Sequence, residues 1–319
     1  LFSAPISSFE MAFLTTFITN TNIVYIMDFL FNAGTSYSGT TPFYYTCIRS
    51  NQYCHTGNQK ETGYLIALHK RGTARDKYIA LRHMYSQPNH LWQRVPGREF
   101  NEINDTIDFY SEPFTIDKYL SYYTRLGDRV KGSFKTVGDF TNHNWDLPEV
   151  FLIELRERMK EHFENIRVTF QFRDPIRRYF SRCGANSRKG ENHTENFQDT
   201  LKNATVSDSD PYNQRRSDWK MAHYTQGIQK FQRVFGEENV YPMVMEEFWD
   251  VTVQKEQEKK LKEFLGYSIS LNQSKIAAER KHAHHGNKNS LGKENYDVMT
   301  PELYEWALKY MGFFYDDWE

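Results

Sequence analysis

Ile23-Val-Tyr-Ile-Met-Asp-Phe-Leu30 runs through Phe31 into Asn32-Ala-Gly-Thr-Ser-Tyr-Ser-Gly-Thr-Thr41, and Pro42 follows. The first stretch is apolar, of strand length and rich in sheet-favouring residues; the second is dominated by Gly, Ser, Thr and Asn. Together they read as a strand over residues 23–30 and a turn over 32–41. Pro42 suits the first turn of a helix, and residues 43–48 continue with an apolar face. Strand, glycine-rich turn and helix form a layout suited to phosphate, because first-turn N–H groups lack helical partners and the positive end of the helix favours an anion. Gly34 and Gly39 have the glycine spacing of a Walker A loop, but Thr40 stands where its lysine belongs, which speaks against an ATPase or kinase loop. The same composition also suits an ordinary connection, and the turn alone does not decide between the two.

Working outward, the chain alternates between the two periodicities. Residues 65–82 and 115–123 read as helical, with an irregular stretch over 85–112. Residues 150–165 place Val150, Ile153, Leu155 and Met159 among charges at helical spacing. Residues 166–172 alternate as a strand, and Asp174-Pro175 ends it and opens another helix through Cys183. The most polar stretch, 184–218, reads as a surface excursion or lid. A helix over 221–235, a buried strand over 240–245 and a charged helix over 254–265 closed by Gly266 follow. After the basic, His-rich stretch 275–293 comes a last helix over 301–311. Helix–strand–helix alternation without a repeat implies crossover units in a parallel sheet.

Composition narrows the function. Forty basic against 41 acidic residues give a net charge of -1, so no global field favours nucleic acid or an anionic membrane surface, and any anion site must be local. The apolar stretch 9–31 is broken by Glu10, Asn20, Asn22 and Asp28, so no membrane span is expected. The same stretch lacks the basic start and small-residue cleavage site of a secretory signal, so none is expected there. Cys47, Cys54 and Cys183 cannot all pair within one chain, which favours a reducing, cytoplasmic setting. Four Asn-x-Ser/Thr sequons, at Asn104, Asn192, Asn203 and Asn272, point the other way.

A second cluster is Phe172-Arg-Asp-Pro-Ile-Arg-Arg-Tyr-Phe-Ser181, a strand end, a Pro turn and a helix start carrying three arginines. Guanidinium forks there suit a phosphate, and arginine at a helix start opposes the macrodipole unless an anion compensates. The two turns together resemble the PAPS-dependent sulfotransferase family, closest to its heparan-type and bacterial branch. In that family the first loop reads roughly K-x-G-T-[ST] and the second motif R-x-P-x-x-R-x-x-S; Arg173, Pro175, Arg178 and Ser181 match the second in full. The resemblance implies a three-layer, P-loop-like α/β fold with a mostly parallel central sheet flanked by helices. It also implies 3′-phosphoadenosine-5′-phosphosulfate (PAPS) as donor. Gly39, Thr40 and Thr41 would then hold the 5′-phosphosulfate and Arg173 and Ser181 the 3′-phosphate, with Tyr37, Ser38 and Arg178 as further cofactor-binding residues.

Further matches follow in order. Lys60-Glu61 resembles a K-E segment whose glutamate is the general base; Lys135-Thr136, after a strand-like 130–134, resembles a segment whose lysine lies beside the transferred group. Arg280 and Lys288 fall where a basic loop closes over the nucleotide. Two positions depart from the pattern: Tyr37 replaces the family's loop lysine, and Phe134 the glutamate before Lys135. Lys60 is a possible substitute for that lysine. The whole chain, 1–319, then forms one domain with a family-divergent insertion over 62–130 and the excursion over 184–218. The acceptor would be a hydroxyl or amine of a carbohydrate or other small molecule. His282, His284 and His285 lack neighbouring Cys or carboxylates and fit no standard zinc pattern, so no metal is expected. Three readings stay open: an active sulfotransferase, a non-catalytic relative that binds PAPS or its product PAP, and a nucleotide phosphotransferase.

Overall fold

The computed structural model describes residues 27–44, 48, 53–57, 60–69, 105, 108–129, 135–173, 178, 224–250 and 252–271. Strand β1, Met27–Gly34, is the centre of the fold and ends four residues beyond the apolar run. Asn32, Ala33 and Gly34, expected in the turn, belong to the strand. Asn32 is fully buried there, with partners for both of its oxygens: Thr169 Oγ1 donates to its Oδ1 at 3.2 Å and Asn144 Nδ2 to its backbone carbonyl at 3.1 Å. Side chains alternate across the sheet. Phe29, Phe31 and Ala33 enter one cluster, with Tyr119, Tyr123, Phe163, Phe170 and Phe231. Leu30 enters the opposite one, with Phe43, Phe140, Met243 and Leu261. Burial on both faces is what a central parallel strand requires.

Around β1 the sheet has the order β2-β3-β1-β4-β5, and all four pairings are parallel. The other strands are β2 (Cys54–His55), β3 (Lys135–Asp139), β4 (Asn165–Phe172) and β5 (Val240–Val244). The helices are α1 (Thr40–Phe43), α2 (Tyr64–His69), α3 (Ile116–Gly127), α4 (Glu149–Met159), α5 (Tyr224–Phe235), α6 (Met245–Trp249) and α7 (Gln254–Leu265). The architecture is three-layered: buried side chains of α2 to α5 join the Phe29 cluster on one face, and those of α1, α6 and α7 join the Leu30 cluster on the other.

Several elements are locally encoded. Thr115 caps α3 by accepting from Lys118 N at 3.1 Å. Gly266, in the left-handed region at φ 79°, closes α7 with its N–H on the Lys262 carbonyl. Helix α4 differs from its expected phase: Leu152, Leu155 and Met159 are buried, whereas Val150 is 79% and Ile153 47% exposed. The apolar stripe is too broad to pick its own face, and packing on α5 selects the Leu152 side. Met245, expected to end a strand, starts α6 instead. The stretch expected as a divergent insertion supplies α2 and α3, whose Tyr64, Tyr119 and Tyr123 lie in the same cluster as Phe29.

Because β1 is followed in sequence by strands on one side and then by strands on the other, the chain reverses its order at β1. Open parallel sheets bind ligands in the crevice at such a reversal, outside the C-terminal strand ends. Here that edge carries Gly34, Asp139 and Phe172.

Candidate functional site

The turn leaving β1 is held from below by β4: Thr35 N donates to the Gln171 carbonyl at 2.8 Å. Thr35 Oγ1 lies 2.6 Å from Ser38 Oγ, and Ser38 N donates to the Thr35 carbonyl at 3.3 Å. Two residues take left-handed backbone, Tyr37 at φ 65° and Gly39 at φ 79°. Gly39 needs its missing side chain twice over, since a Cβ there would also lie 1.7 Å from Met245 Sδ. At Gly34 a Cβ would sit 2.2 Å from the carbonyl oxygen of Asn142, so this glycine lets the exit of β3 press against the exit of β1. Tyr37 is exposed and has no glycine's freedom, a strained conformation of the kind that concentrates at functional sites. Helix α1 starts at Thr40 without a side-chain cap on its first turn. Thr40 is buried and Thr41 exposed.

A buried ammonium reaches the turn from one side. Lys60, 9% exposed at its side chain, donates to Thr40 Oγ1 at 3.2 Å, Glu61 Oε1 at 2.7 Å and Asn142 Oδ1 at 3.3 Å. Burial lowers its pKa below the usual lysine range, and the Glu61 carboxylate opposes that shift. Glu61 also accepts from Asn142 Nδ2 and is itself 41% exposed. The pair is therefore a half-buried ion pair at the turn and not two solvated charges.

A guanidinium reaches the turn from the other side. Arg178, 5% exposed, donates from Nε to the Ser36 carbonyl at 2.8 Å, tying itself to the glycine turn across 142 residues of sequence. Arg173 follows β4 directly; its carbonyl accepts from Tyr224 Oη at 2.9 Å, and its Nε lies 3.9 Å from Glu246 Oε1. Burial pushes the Tyr224 phenol up, while Arg178, Ser38 and Thr35 beside it pull it down. The β1 and β4 exits thus share one polar cluster.

Of the site residues expected from sequence, Tyr37, Ser38, Gly39, Thr40, Lys60, Glu61, Arg173 and Arg178 come together at this edge. Lys135 does not. It opens β3 and pairs with Met27, at the opposite end of the sheet from Gly34. Seven residue steps along the strand separate Met27 from Gly34, or about 23 Å at ~3.3 Å per residue. The described strand runs over 135–139, five residues after the one expected over 130–134, and that shift makes Lys135 a strand-start residue. Ser181, Arg280, Lys288 and the three histidines lie outside the described residues, as do 130–134.

The same shift hid three residues. Asn142 and His143 follow the true C-terminal end of β3: Asn142 bonds Lys60 and Glu61, and His143 Nε2 lies 3.5 Å from Ser36 Oγ, with its Nδ1 3.6 Å from Asp146 Oδ2. Asp139, buried at that strand end, is the third. The signal was the polar run Thr141-Asn-His-Asn144, which marks a strand exit once β3 is set in register.

No family model matches the chain, and no curated protein matches it in sequence. Among solved structures the chain is similar to a sulfotransferase from Alicyclobacillus acidocaldarius, at 16% identity over 81% of this chain and 96% of that one, with a TM-score of 0.45. It is similar also to the sulfotransferase domain of the Synechococcus PCC 7002 olefin synthase, at 13% identity over 89% and 86%, TM-score 0.38. A sulfotransferase from Mycobacterium avium aligns at 14% identity over 96% and 80%, TM-score 0.39.

Proposed function

We propose that this chain is a sulfotransferase that uses PAPS and an acceptor hydroxyl or amine, with a carbohydrate or similar hydroxylated small molecule as acceptor. The observation that carries the reading is that one hydroxyl-rich turn at the sheet's reversal point meets two buried cations, Lys60 and Arg178, brought from distant segments. Buried cations beside hydroxyls and an uncapped helix start suit a multiply charged phosphate ester. Arg178 bonds the first turn directly and Arg173 lies on the adjoining β4 exit, which supports one adenosine bisphosphate spanning both.

When bound, PAPS supplies the sulfuryl group and a phosphate leaving group. The turn residues 36–40 would orient the 5′ end and Arg173 and Arg178 the 3′-phosphate. Lys60 takes over the duty of the loop lysine that Tyr37 lacks: it neutralises charge on the leaving phosphate, the main service a protein renders in such transfers. Glu61 would accept the acceptor's proton as the acceptor oxygen or nitrogen bonds to sulfur and the S–O bond to the leaving phosphate breaks; a well-placed base is worth ~10²–10⁴ in rate. A phosphate arriving at Thr40 competes with Glu61 for the same ammonium, so donor binding loosens the carboxylate for that role.

Calorimetry of the full chain with PAP, ADP and ATP tests the donor assignment. PAP should bind about 10–150-fold tighter than ADP, the range expected when charge-assisted bonds of ~1.5–3 kcal/mol to the 3′-phosphate are lost. Equal affinity for PAP and ADP, or none for either, overturns the donor. PAP binding without loss of sulfuryl from PAPS to any sugar, lipid or phenol leaves a binding protein in place of an enzyme.

A further inference from the structure

One buried carboxylate is not used by this chemistry. Asp139, the last residue of β3, is 1% exposed. Its Oδ1 accepts from Thr141 N at 2.9 Å and Thr141 Oγ1 at 2.7 Å; its Oδ2 accepts from Tyr119 Oη at 2.9 Å and Thr62 Oγ1 at 3.3 Å. All four donors are neutral. Burial pushes the carboxyl above its usual range, with the bonds from Thr141, Tyr119 and Thr62 working against that. A core position with no further duty is better filled by an apolar residue of similar size, which avoids this desolvation.

What the carboxylate grips explains its presence. Thr62 directly follows Lys60-Glu61, and Thr141 directly precedes Asn142. Gly63 N donates to Thr141 Oγ1 at 3.1 Å, Tyr110 Oη to the Thr62 carbonyl at 3.0 Å, and the two threonine hydroxyls lie 3.3 Å apart. Immediately beyond this knot, Lys60, Glu61 and Asn142 close their triangle on the turn. We propose that Asp139 is a positioning residue: by holding Thr62 and Thr141 against one another it sets the Lys60–Glu61 pair on Thr40. The inference rests on the proposed function only for what the pair does, since the placement of Lys60 is measurable without any transfer.

The measurement is the rate at which a water-soluble acetylating ester modifies Lys60 in the full chain, read by peptide mass spectrometry against Lys259, whose side chain is 76% exposed. Asp139→Ala and Thr62→Val should each raise Lys60 modification by about tenfold or more, the signature of a local opening easier by ~1.4 kcal/mol. Asp139→Asn should stay within about twofold of the parent, because its amide oxygen accepts from Thr141 and its NH₂ donates to the Thr62 and Tyr119 hydroxyls. Should Asp139→Ala fail to fold, Thr62→Val decides alone. Unchanged Lys60 protection in either folded variant overturns the proposal, as does Asp139→Asn behaving like Asp139→Ala. If PAP fails to bind the parent chain while the labelling pattern holds, the donor assignment falls and the positioning role stands.

Discussion

Lys60 and Arg178 are both buried cations, and both bond the same turn, but they bond it differently. The Arg178 Nε–H goes to a backbone carbonyl, that of Ser36, and so shapes the turn. Lys60 spends its three N–H donors on three side chains, Thr40, Glu61 and Asn142, and so leaves the backbone path alone. Guanidinium keeps its charge and a rigid fork, whereas an ammonium shifts its pKa on burial and trades partners easily. The contrast separates a cation that shapes the turn's backbone from one whose side-chain partners are exchangeable.

Glu61→Gln strikes the exchangeable side hardest. Turnover should fall by ~10²–10⁴ while PAP affinity is spared, read from steady-state rates and calorimetry side by side. His143, 3.5 Å from Ser36 Oγ, is the competing base: if His143→Ala takes the full loss and Glu61→Gln none, the base moves to the histidine.

Lys60→Met should cost about 10²–10³ in transfer, the usual loss for one charge-stabilising donor, yet leave the fold as stable or more so at pH 7. The sign follows from its lowered pKa. The folded chain binds this proton less tightly than the unfolded chain, so the parent carries a penalty at neutral pH that is relieved as pH rises towards the ordinary lysine value of 10.5. The melting-temperature gap between variant and parent should therefore close with rising pH; a variant that melts far below the parent at pH 7 would make Lys60 a scaffold residue like Arg178.

Arg178→Lys should show the opposite balance, losing ~1.5–3 kcal/mol of stability from the broken bond to the Ser36 carbonyl, measured by denaturant unfolding. Unaltered stability would erase the distinction between the two cations.

The smallest effect is expected behind Lys60, at Asp139. With its folded pKa raised, the protonated form stabilises the fold below the ordinary carboxyl value of 3.8 and that benefit is lost as pH rises through the folded value. Asp139→Asn should thus melt slightly higher than the parent at pH 7 and no higher at pH 3, as thermal scans at the two pH values would show.

How much of this was legible beforehand differs between the two cations as well. Arg173 and Arg178 stand in a tight local motif, strand end, Pro and helix start, and could be picked out as a unit. Lys60-Glu61 were picked out only by their order along the chain, since a charged dipeptide has no local mark distinguishing a buried pair from a solvated one. Lys135 was misplaced because a strand start and a strand end look alike in apolar content, and a shift of five residues exchanges the two ends of the sheet. Asn142, His143 and Asp139 were lost with the same shift.

The amino-acid sequence by itself determined the α/β alternation, the Gly266 and Thr115 helix ends, and the need for small or flexible residues in the turn, because periodicity, caps and left-handed backbone are settled within a few neighbours. Tertiary structure alone decided which face of α4 is buried, that Ser36 meets Arg178, and that Lys60 is buried against Thr40. Those outcomes depend on parallel register between strands many residues apart, and register is chosen by the summed packing of both sheet faces, which no short stretch of chain contains.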